Sequence, residues 1–363
     1  MPKRFSVGFI EKENCLAKIK ERESFALKNL KEDYYNFSFS HIYVEKAVQN
    51  HPRTEQILKK FPKAVIITID HYKDVFCRSR QNYALQHRTQ KLILAEKTGN
   101  LIYGGAPVCQ NFGNEHFYYA SCVMNCIFDC EYCYLKGMYP SGNIVVFVNL
   151  EDVFEQVKRL LEKHPVYLCV SYDTDLLVLE PVLGYVKAWE QFAAGQGGLK
   201  IEIRTKSANK SFFNHVPVSN VIYAFTISPQ AVIFSYERRT PSLAQRLDCV
   251  AEAVRREFPV RLCFDPMLYC RGWEEQYDQM LTDVHGKVDV EKLFDVSIGS
   301  FRVSQDYLKK MRKNDPNSLA VWFPYQNIGG VYQYPKELRE KMEGHLYRRL
   351  KEYFPEEKIF LWG

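Results

Sequence analysis

The feature that most constrains the fold of this chain is an alternation of short apolar runs and amphipathic helical stretches after residue 116. The apolar runs have the length of strands and lie at 117–124, 144–148, 166–171, 199–204, 221–227, 260–264 and 297–303. Helical stretches fall between them, including 151–163, 183–193, 243–257 and 273–284. Such alternation predicts a parallel sheet wound into an open or closed barrel, with its chemistry at the C-terminal ends of the strands.

The N-terminal third has its own pattern. It predicts a small α/β unit, with a strand at 41–45, a helix at 54–60 and a buried strand at 64–69. Clusters of Gly, Pro and Asn at 104–107 and 111–114 then interrupt the pattern, as is typical of a boundary.

The C-terminal end predicts a hairpin followed by a helix. Aromatic runs flank 326–330, where glycines allow a tight turn, and a helical stretch covers 336–353. We therefore divide the chain into an N-terminal α/β domain, a barrel and a hairpin-helix extension, at 1–112, 113–305 and 306–363.

Composition narrows the class of protein. The chain has 363 residues, 46% of them hydrophobic and 25% charged, as in ordinary globular proteins. No stretch is apolar enough to span a membrane and no secretory leader follows Met1, so we expect a cytoplasmic protein. The eleven cysteines lack the spacing of a disulfide framework, which favours reduced thiols. A net charge of +6 permits a polyanionic partner without requiring one.

Three cysteines carry the clearest chemical signal, in the spacing Cys126-x3-Cys130-x2-Cys133. A 4Fe-4S cluster normally takes four thiolates, so three close cysteines would leave one iron free for another ligand. The alternative is a structural zinc site, which prefers four ligands, often in two separated pairs. Cys122 extends the run to four and keeps that alternative open, although a core position suits Cys122 better.

Together with its surroundings, this loop resembles the radical S-adenosylmethionine (SAM) superfamily and, more closely, the spore photoproduct lyase family of DNA repair enzymes. Tyr132-Cys133-Tyr134 matches the family's aromatic residues around the last cysteine. Further similarities lie at 43–46, 69–76, 146–149, 204–206, 225–228, 272–275 and 301–303. The resemblance therefore covers most of the chain from about residue 41 to its end.

The resemblance implies a fold, two cofactors and a reaction. The fold would be a partial (β/α)6 TIM-like radical SAM barrel of the α/β class, with an N-terminal α/β domain and a C-terminal β-hairpin plus helix. Cys126, Cys130 and Cys133 would hold a 4Fe-4S cluster, and SAM would bind beside it. A 5'-deoxyadenosyl radical would then repair 5-thyminyl-5,6-dihydrothymine, the spore photoproduct, in UV-damaged duplex DNA. An electron donor such as flavodoxin or ferredoxin would reduce the cluster.

Residues for SAM binding are implied in the same way. Lys206 would bind the SAM carboxylate by its charge, and Tyr132 would line the cofactor site. Thr174, Thr226 and Ser228 would hydrogen-bond the polar groups of SAM. Without the resemblance, polar residues at strand ends are more often ordinary surface or packing residues.

Three cysteines are candidates for the residue that returns a hydrogen atom to the product. Well-known bacterial members carry a cysteine after the third strand for this purpose, whereas alignment of a neighbouring aspartate places Tyr172 there. Candidates for the donor are Cys109, Cys169 and Cys77, and we rank Cys109 first because a short loop places it near the barrel mouth. Tyr132 and Tyr134 would relay the hydrogen or electron onward, or simply pack around the cluster.

DNA binding rests on basic and aromatic residues. Phosphates could meet Arg238, Arg239, Arg246, Arg255, Arg256, the run 309–313 or the segment 78–91, although basic runs are usually solvated faces. The hairpin resembles the family element that enters the duplex, with Tyr325, Ile328 and Tyr332 as wedges.

Two other functions remain open. One keeps the radical chemistry on a different substrate, such as a modified RNA, a peptide or a small molecule. The other is a zinc-stabilised nucleic-acid-binding module without catalysis.

Overall fold

The structure is a computed structural model that describes residues 38–105 and 109–362. Ser38–Gly363 groups into one compact unit. The predicted division at residues 112 and 305 stays a prediction, although strand pairing described below crosses the first boundary. In the described residues, no helix is both long and apolar enough to cross a membrane.

In chain order the strands are β1 (His41–Glu45), β2 (Val65–Ile69), β3 (Leu92–Ala95), β4 (Ile102–Gly104), β5 (Phe117–Ala120), β6 (Val123–Met124), β7 (Asp129–Cys130), β8 (Ile144–Phe147), β9 (Val166–Cys169), β10 (Leu199–Thr205), β11 (Val221–Thr226), β12 (Glu237–Arg238), β13 (Val260–Met267), β14 (Asp295–Ser300), β15 (Arg302–Ser304), β16 (Gln326–Ile328), β17 (Val331–Gln333) and β18 (Ile359–Leu361). The α-helices are α1 (Pro52–Lys59), α2 (Lys73–Phe76), α3 (Tyr83–Arg88), α4 (Leu135–Met138), α5 (Leu150–Leu161), α6 (Leu176–Leu183), α7 (Tyr185–Ala194), α8 (Gln230–Tyr236), α9 (Leu243–Arg255), α10 (Trp273–Lys287), α11 (Gln305–Asn314), α12 (Leu319–Trp322) and α13 (Lys336–Leu350).

The larger sheet has the order β18-β14-β13-β11-β10-β9-β5-β4 and is parallel from β18 to β5. Most of its parallel strands are connected through α-helices, as the alternation predicted, whereas the connection from β10 to β11 contains a short 3₁₀ helix at Lys210–Phe213. The predicted strand at 117–124 is divided into β5 and β6, and the one at 297–303 into β14 and β15. The predicted helix at 183–193 corresponds to α7, which begins at Tyr185 because Gly184 ends the preceding α6 in the left-handed conformation at φ 67°.

A second sheet has the order β2-β1-β3-β8-β6. Strand β8, predicted as the barrel's second strand, pairs in parallel with β3, so this sheet joins the N-terminal part to the segment after the cysteine loop. The prediction of a buried strand at 64–69 was wrong in one respect. β2 is an edge strand, with Val65 and Ile66 54% and 46% exposed, because it has a partner on one side only.

The amino-terminal end of the barrel strands is closed by a buried ion-pair network. Arg261 donates to the Tyr167 hydroxyl at 2.6 Å, to Glu202 at 2.6 Å and to Asp295 at 2.6 Å. Its guanidinium lies 3.3 Å from the centroid of the Phe112 ring. Because every charge in this network is paired, this end of the barrel is packed rather than open.

The C-terminal part forms the predicted hairpin and helix. Strands β16 and β17 pair in an antiparallel hairpin, and β15 pairs with β17 on its other side. The turn contains Gly329 and Gly330 at φ 59° and 85°, a conformation in which glycine is favoured. Helix α13 then leads to β18, which completes the larger sheet.

Candidate functional site at the barrel mouth

The three cysteines lie in a loop held to two other parts of the chain. Cys130 belongs to β7, which pairs with β12 so that Cys130 lies opposite Glu237. The carbonyl of Cys126 interacts with His87 Nε2 at 3.1 Å and accepts a hydrogen bond from Gln90 Nε2 at 3.0 Å. Cys133 precedes helix α4, in which the backbone N–H of Lys136 donates to the Cys133 carbonyl at 3.1 Å. The backbone of the loop is therefore fixed before any ligand binds.

The three thiols share one electrostatic environment. Burial raises the pKa of all three, to about 12 for Cys130, and a negative charge on one would raise the pKa of the others. Binding iron must therefore displace protons, as is usual for thiolate ligands. No three His, Cys, Asp or Glu side chains described in the structure are grouped around a position for a single metal ion. A 4Fe-4S cluster does not need that convergence, because each thiolate binds its own iron.

Cys122 belongs to the core. It is buried at 2% exposure, and the charges that act on its thiol include those of Lys97 and Arg53. Burial raises its pKa to about 12. This setting agrees with a packing role and weakens the four-cysteine zinc hypothesis.

Tyr132 and Lys206 lie together beside the cysteines. Lys206 Nζ is 5.5 Å from the centroid of the Tyr132 ring, and the Tyr132 hydroxyl donates to Glu237. Burial acts to lower the pKa of Lys206, but the Cys130 sulfur in its thiolate form and the Glu237 carboxylate outweigh this effect and raise that pKa. The mouth therefore holds a lysine that remains charged near the three thiols.

Glu237 is itself neutralised by a buried arginine. Arg246 forms an ion pair with Glu237 and donates to Thr240 Oγ1 at 2.8 Å and to the Thr226 carbonyl at 3.1 Å. Both partners of the pair are fully buried. Such a pair costs several kcal/mol to break from one side, so it fixes the positions of Tyr132 and β12.

The ends of β9 and β10 supply further polar groups. Asp175 accepts hydrogen bonds from Thr205 Oγ1 at 2.9 Å and from the Lys206 backbone N–H at 2.7 Å, which orients the start of the Lys206 loop. Thr174 is buried, and its hydroxyl has no hydrogen-bond partner within the described residues. An unpaired buried hydroxyl is costly, which favours a polar ligand at this position.

Thr226 and Ser228 are buried at the end of β11. The Ser228 hydroxyl donates to Glu237 Oε1 at 3.1 Å, and the Thr226 backbone carbonyl accepts from Arg246. Both residues therefore contact the ion pair, and their binding of SAM stays a prediction.

Cys109 lies at the same mouth through a contact with Tyr172, which Tyr134 contacts in turn. Its Sγ is 3.3 Å from the Tyr172 hydroxyl, and the Tyr134 hydroxyl donates to the Tyr172 carbonyl at 2.6 Å. The rings of Tyr134 and Tyr172 are 5.8 Å apart between centroids. Tyr134 directly follows Cys133, so these contacts link Cys109 to the cysteine loop.

The two tyrosines of the loop therefore have different surroundings. Tyr134 contacts the Cys109 side of the mouth, whereas Tyr132 contacts the Glu237 side.

The other two candidates for the hydrogen donor lie in less suitable positions than Cys109. Cys169 is buried within β9, and burial raises its pKa strongly. Cys77 is exposed at the end of α2.

Several arginines expected to meet DNA form ion pairs with acidic residues of the same chain. Arg246 is fully buried in its ion pair, and Arg255 and Arg256 both pair with Glu252. Arg238 pairs with Glu131. The expectation that Arg246 meets a phosphate was therefore wrong, because it is buried in its ion pair, whereas phosphate contacts by Arg238, Arg255 and Arg256 stay a prediction.

One expected wedge residue is also a core residue. Tyr325 is 9% exposed, its hydroxyl donates to the Ala320 carbonyl at 2.6 Å, and its ring is 5.1 Å from those of Phe301 and Tyr334. Ile328 is 53% exposed in the hairpin, and Tyr332 is half-buried. Only the latter two are accessible to a duplex.

Glu237, Arg246 and Tyr172 are residues of the mouth to which sequence reasoning gave no such role. Arg246 looked like a surface charge, and Tyr172 was noted only as a replacement for a cysteine. No local spacing connects Glu237 with Arg246, because their contact depends on how β12 and α9 meet. A tyrosine at a position where relatives carry a hydrogen donor was the one available signal.

Comparisons with known proteins identify the family of this chain. The chain matches the family described as spore photoproduct lyase over residues 37–362. A spore photoproduct lyase of Clostridium acetobutylicum is 26% identical over 247 residues, which cover 64% of this chain and 72% of that protein.

Solved structures show the same fold. One is a spore photoproduct lyase double mutant with bound S-adenosylmethionine and dinucleoside spore photoproduct, at a TM-score of 0.77 and 18% identity. Another is a spore photoproduct lyase complexed with the dinucleoside, at 0.75 and 17%. Both matches cover 90% of this chain and 99% of the other. The predicted radical SAM barrel fold is confirmed, and the chain belongs to the spore photoproduct lyase family, whose members are radical SAM lyases.

Proposed function

We propose that this chain repairs the spore photoproduct in DNA by radical SAM chemistry. The observation that carries the proposal is the convergence of three groups at one barrel mouth: the three cysteines, the charged Lys206, and Cys109 with its tyrosine contacts. Family membership supplies the substrate class, and the relatives bound to dinucleoside spore photoproduct support it.

The residues at the barrel mouth suit both cofactors of the family. Cys126, Cys130 and Cys133 would hold the 4Fe-4S cluster, while Lys206 and the buried Thr174 hydroxyl would bind the charged and polar groups of SAM. When bound, these groups supply a carbon radical that removes a hydrogen atom from the lesion. The chain's own task is to hold the reacting groups close together in the correct orientation and to exclude water.

Cys109 is the proposed donor of the hydrogen atom that completes the product. The Tyr172 hydroxyl contacts its thiol at 3.3 Å and so orients the sulfur. Tyr134 holds the Tyr172 backbone and is the better placed of the two loop tyrosines to continue the relay. Tyr132, which donates to Glu237, instead positions the loop beside Lys206.

The wider setting of the reaction belongs to the same proposal. Lesion-containing duplex DNA is the proposed partner, and a flavodoxin or ferredoxin would deliver the electron. A cytoplasmic location suits the ten cysteines of the described residues, none of which is paired in a disulfide.

The test is anaerobic incubation of the reconstituted protein with SAM, a strong reductant and UV-irradiated spore-type DNA. The proposal predicts loss of the lesion together with formation of 5'-deoxyadenosine. Formation of 5'-deoxyadenosine without loss of the lesion would reject this substrate and support the same chemistry on another one. One bound zinc and no iron would reject the radical chemistry altogether.

A further inference from the structure

A surface groove beside the hairpin has the composition of a nucleotide site. It encloses about 430 Å³ between helix α11, the end of helix α12 and strand β17. We call it the α11 groove. It is lined by Gln305, Leu308, Lys309, Arg312, Lys313, Trp322 and Tyr332. The volume is within the range of small-molecule sites, about 300 to 1,000 Å³.

The aromatic wall of the groove is exposed but held in place. Trp322 is 53% exposed. The Arg312 guanidinium lies 4.9 Å from the Trp322 ring centroid and 5.8 Å from that of Tyr332, and its Nε donates to the Val321 carbonyl at 2.8 Å. The indole is therefore presented to solvent as a supported flat surface, on which a nucleic-acid base can stack.

The rim of the groove carries lysines without acidic partners. Lys309 and Lys313 are exposed and, in the part of the chain that the structure describes, no carboxylate lies within ion-pair distance of either. The arginines considered earlier differ in this respect, since Glu252 and Glu131 neutralise them. Unpaired cations beside an exposed indole fit a phosphate next to a base.

The groove is one helix away from the cysteine loop. The other face of α11 packs on α4, so closely that a Cβ on Gly137 would lie 2.4 Å from the Tyr307 carbonyl oxygen. Asn314 Nδ2 also donates to the Lys136 carbonyl at 2.7 Å. A helix with its side chains is about 10 Å wide, and successive base pairs rise about 3.4 Å, so the two sites are a few nucleotides apart along a strand.

We propose that the α11 groove binds one unpaired nucleotide of the DNA strand, a few positions from the lesion. The base stacks on Trp322, and the adjoining phosphates lie near Lys309 and Lys313. This inference rests on the proposed function for the identity of the polymer. An acidic protein surface would also suit the lysines, but it would give no use to the supported indole.

The experiment measures binding of a fluorescent, lesion-free single-stranded oligonucleotide by anisotropy, and turnover of dinucleoside spore photoproduct, in the reconstituted full-length protein. Trp322→Ala is expected to weaken DNA binding about tenfold, and Trp322→Phe to restore most of it, because a ring remains for stacking. Lys313→Ala is expected to lower the slope of log affinity against log salt by about 0.7. The control Lys200→Ala removes an exposed lysine at the amino-terminal end of β10 and should leave DNA binding unchanged.

Wild-type affinity in Trp322→Ala, or an equal loss in Lys200→Ala, would overturn the proposal. It would also be overturned if Trp322→Ala bound DNA normally but accepted electrons more slowly from a reduced flavodoxin, since the groove would then be a protein site. The proposed function has its own readout. If it is wrong, the wild-type protein leaves the lesion in the dinucleoside intact. The differences in DNA affinity between the wild type and the variants still decide the role of the groove.

Discussion

Helix α11 lies between two regions that differ in the burial of their charged side chains. On one side, the barrel mouth keeps Glu237 and Arg246 fully buried and paired. On the other side, the α11 groove leaves Lys309 and Lys313 exposed. Groups that guide a reactive species must be fixed before the substrate arrives, whereas charges that meet phosphates gain most when the DNA supplies their partner. The difference indicates that the mouth performs chemistry and the groove recognises the polymer.

The largest effect is expected from loss of a cluster ligand. Cys130→Ala should remove most of the bound iron and abolish repair, because the loop would then offer only two thiolates. Iron and sulfide analysis after anaerobic reconstitution measures this directly. Cys122→Ala is the matched control, since that thiol is equally buried but lies beside Lys97, and full iron content is expected. Equal iron loss in both variants would contradict the separation of Cys122 from the site.

A large loss of stability is expected when the buried ion pair is broken. Glu237→Gln leaves Arg246 without its anion and should lower the free energy of unfolding by about 3 to 5 kcal/mol. Urea denaturation measures the change. The matched substitution Glu252→Gln, at an exposed pair with Arg255, should have little effect because solvent screens it. Similar stability of the two variants would show that the mouth is no more constrained than the surface.

Much of the fold and the cluster site could be predicted from the sequence because their signals are local. The spacing of Cys126, Cys130 and Cys133 is confined to eight residues, and the strand-helix alternation predicted the larger sheet. The pairing of β8 with β3 depends instead on contacts between distant segments. Nothing in the sequence near residue 144 specifies that partner.

Long-range contacts also limited the prediction of side-chain roles. Arg246 is unremarkable as a basic residue in a helical stretch, and only the fold brings it to Glu237. Tyr325 follows an aromatic run that suits both a wedge and a core, and packing against Phe301 decided between them. Charge and aromaticity are visible in a sequence, whereas the burial that determines their use is not.

Loss of the proposed donor should affect the outcome of the reaction more than the binding of DNA. Cys109→Ala is expected to lower the yield of repaired thymines about tenfold, equivalent to about 1.4 kcal/mol, while 5'-deoxyadenosine still forms. Chromatography of the products measures both. Cys77→Ala, which removes an exposed thiol at the end of α2, serves as the control. An unchanged product distribution in Cys109→Ala would exclude Cys109 as the donor.

A smaller effect is expected from the hydroxyl that contacts this thiol. Tyr172→Phe removes the 3.3 Å contact but keeps the ring that stacks on Tyr119 at 4.3 Å. A hydrogen bond contributes about 0.5 to 1.5 kcal/mol, so repair should slow by about two- to tenfold. The rate with dinucleoside spore photoproduct is the appropriate measure. A rate equal to that of the wild type would show that Tyr172 does not position Cys109.

The smallest effect is expected at the hairpin. Ile328 is 53% exposed, and Ile328→Ala should slow repair in duplex DNA a few fold by removing an apolar wedge that helps unstack the lesion. Repair of the free dinucleoside needs no unstacking and should be unchanged. Comparison of the two rates tests this, and equal slowing on both substrates would instead indicate damage to the barrel mouth.

The central claim is a division of roles, with chemistry at the barrel mouth and DNA recognition in the α11 groove. Its most direct test compares Cys109→Ala and Trp322→Ala on two substrates, the dinucleoside spore photoproduct and the same lesion within an oligonucleotide. Cys109→Ala should impair repair of both, because chemistry is common to them. Trp322→Ala should impair repair of the oligonucleotide alone, when the oligonucleotide concentration is below the dissociation constant of the variant for it. Impaired repair of the dinucleoside by Trp322→Ala, or normal repair of either substrate by Cys109→Ala, would contradict the division.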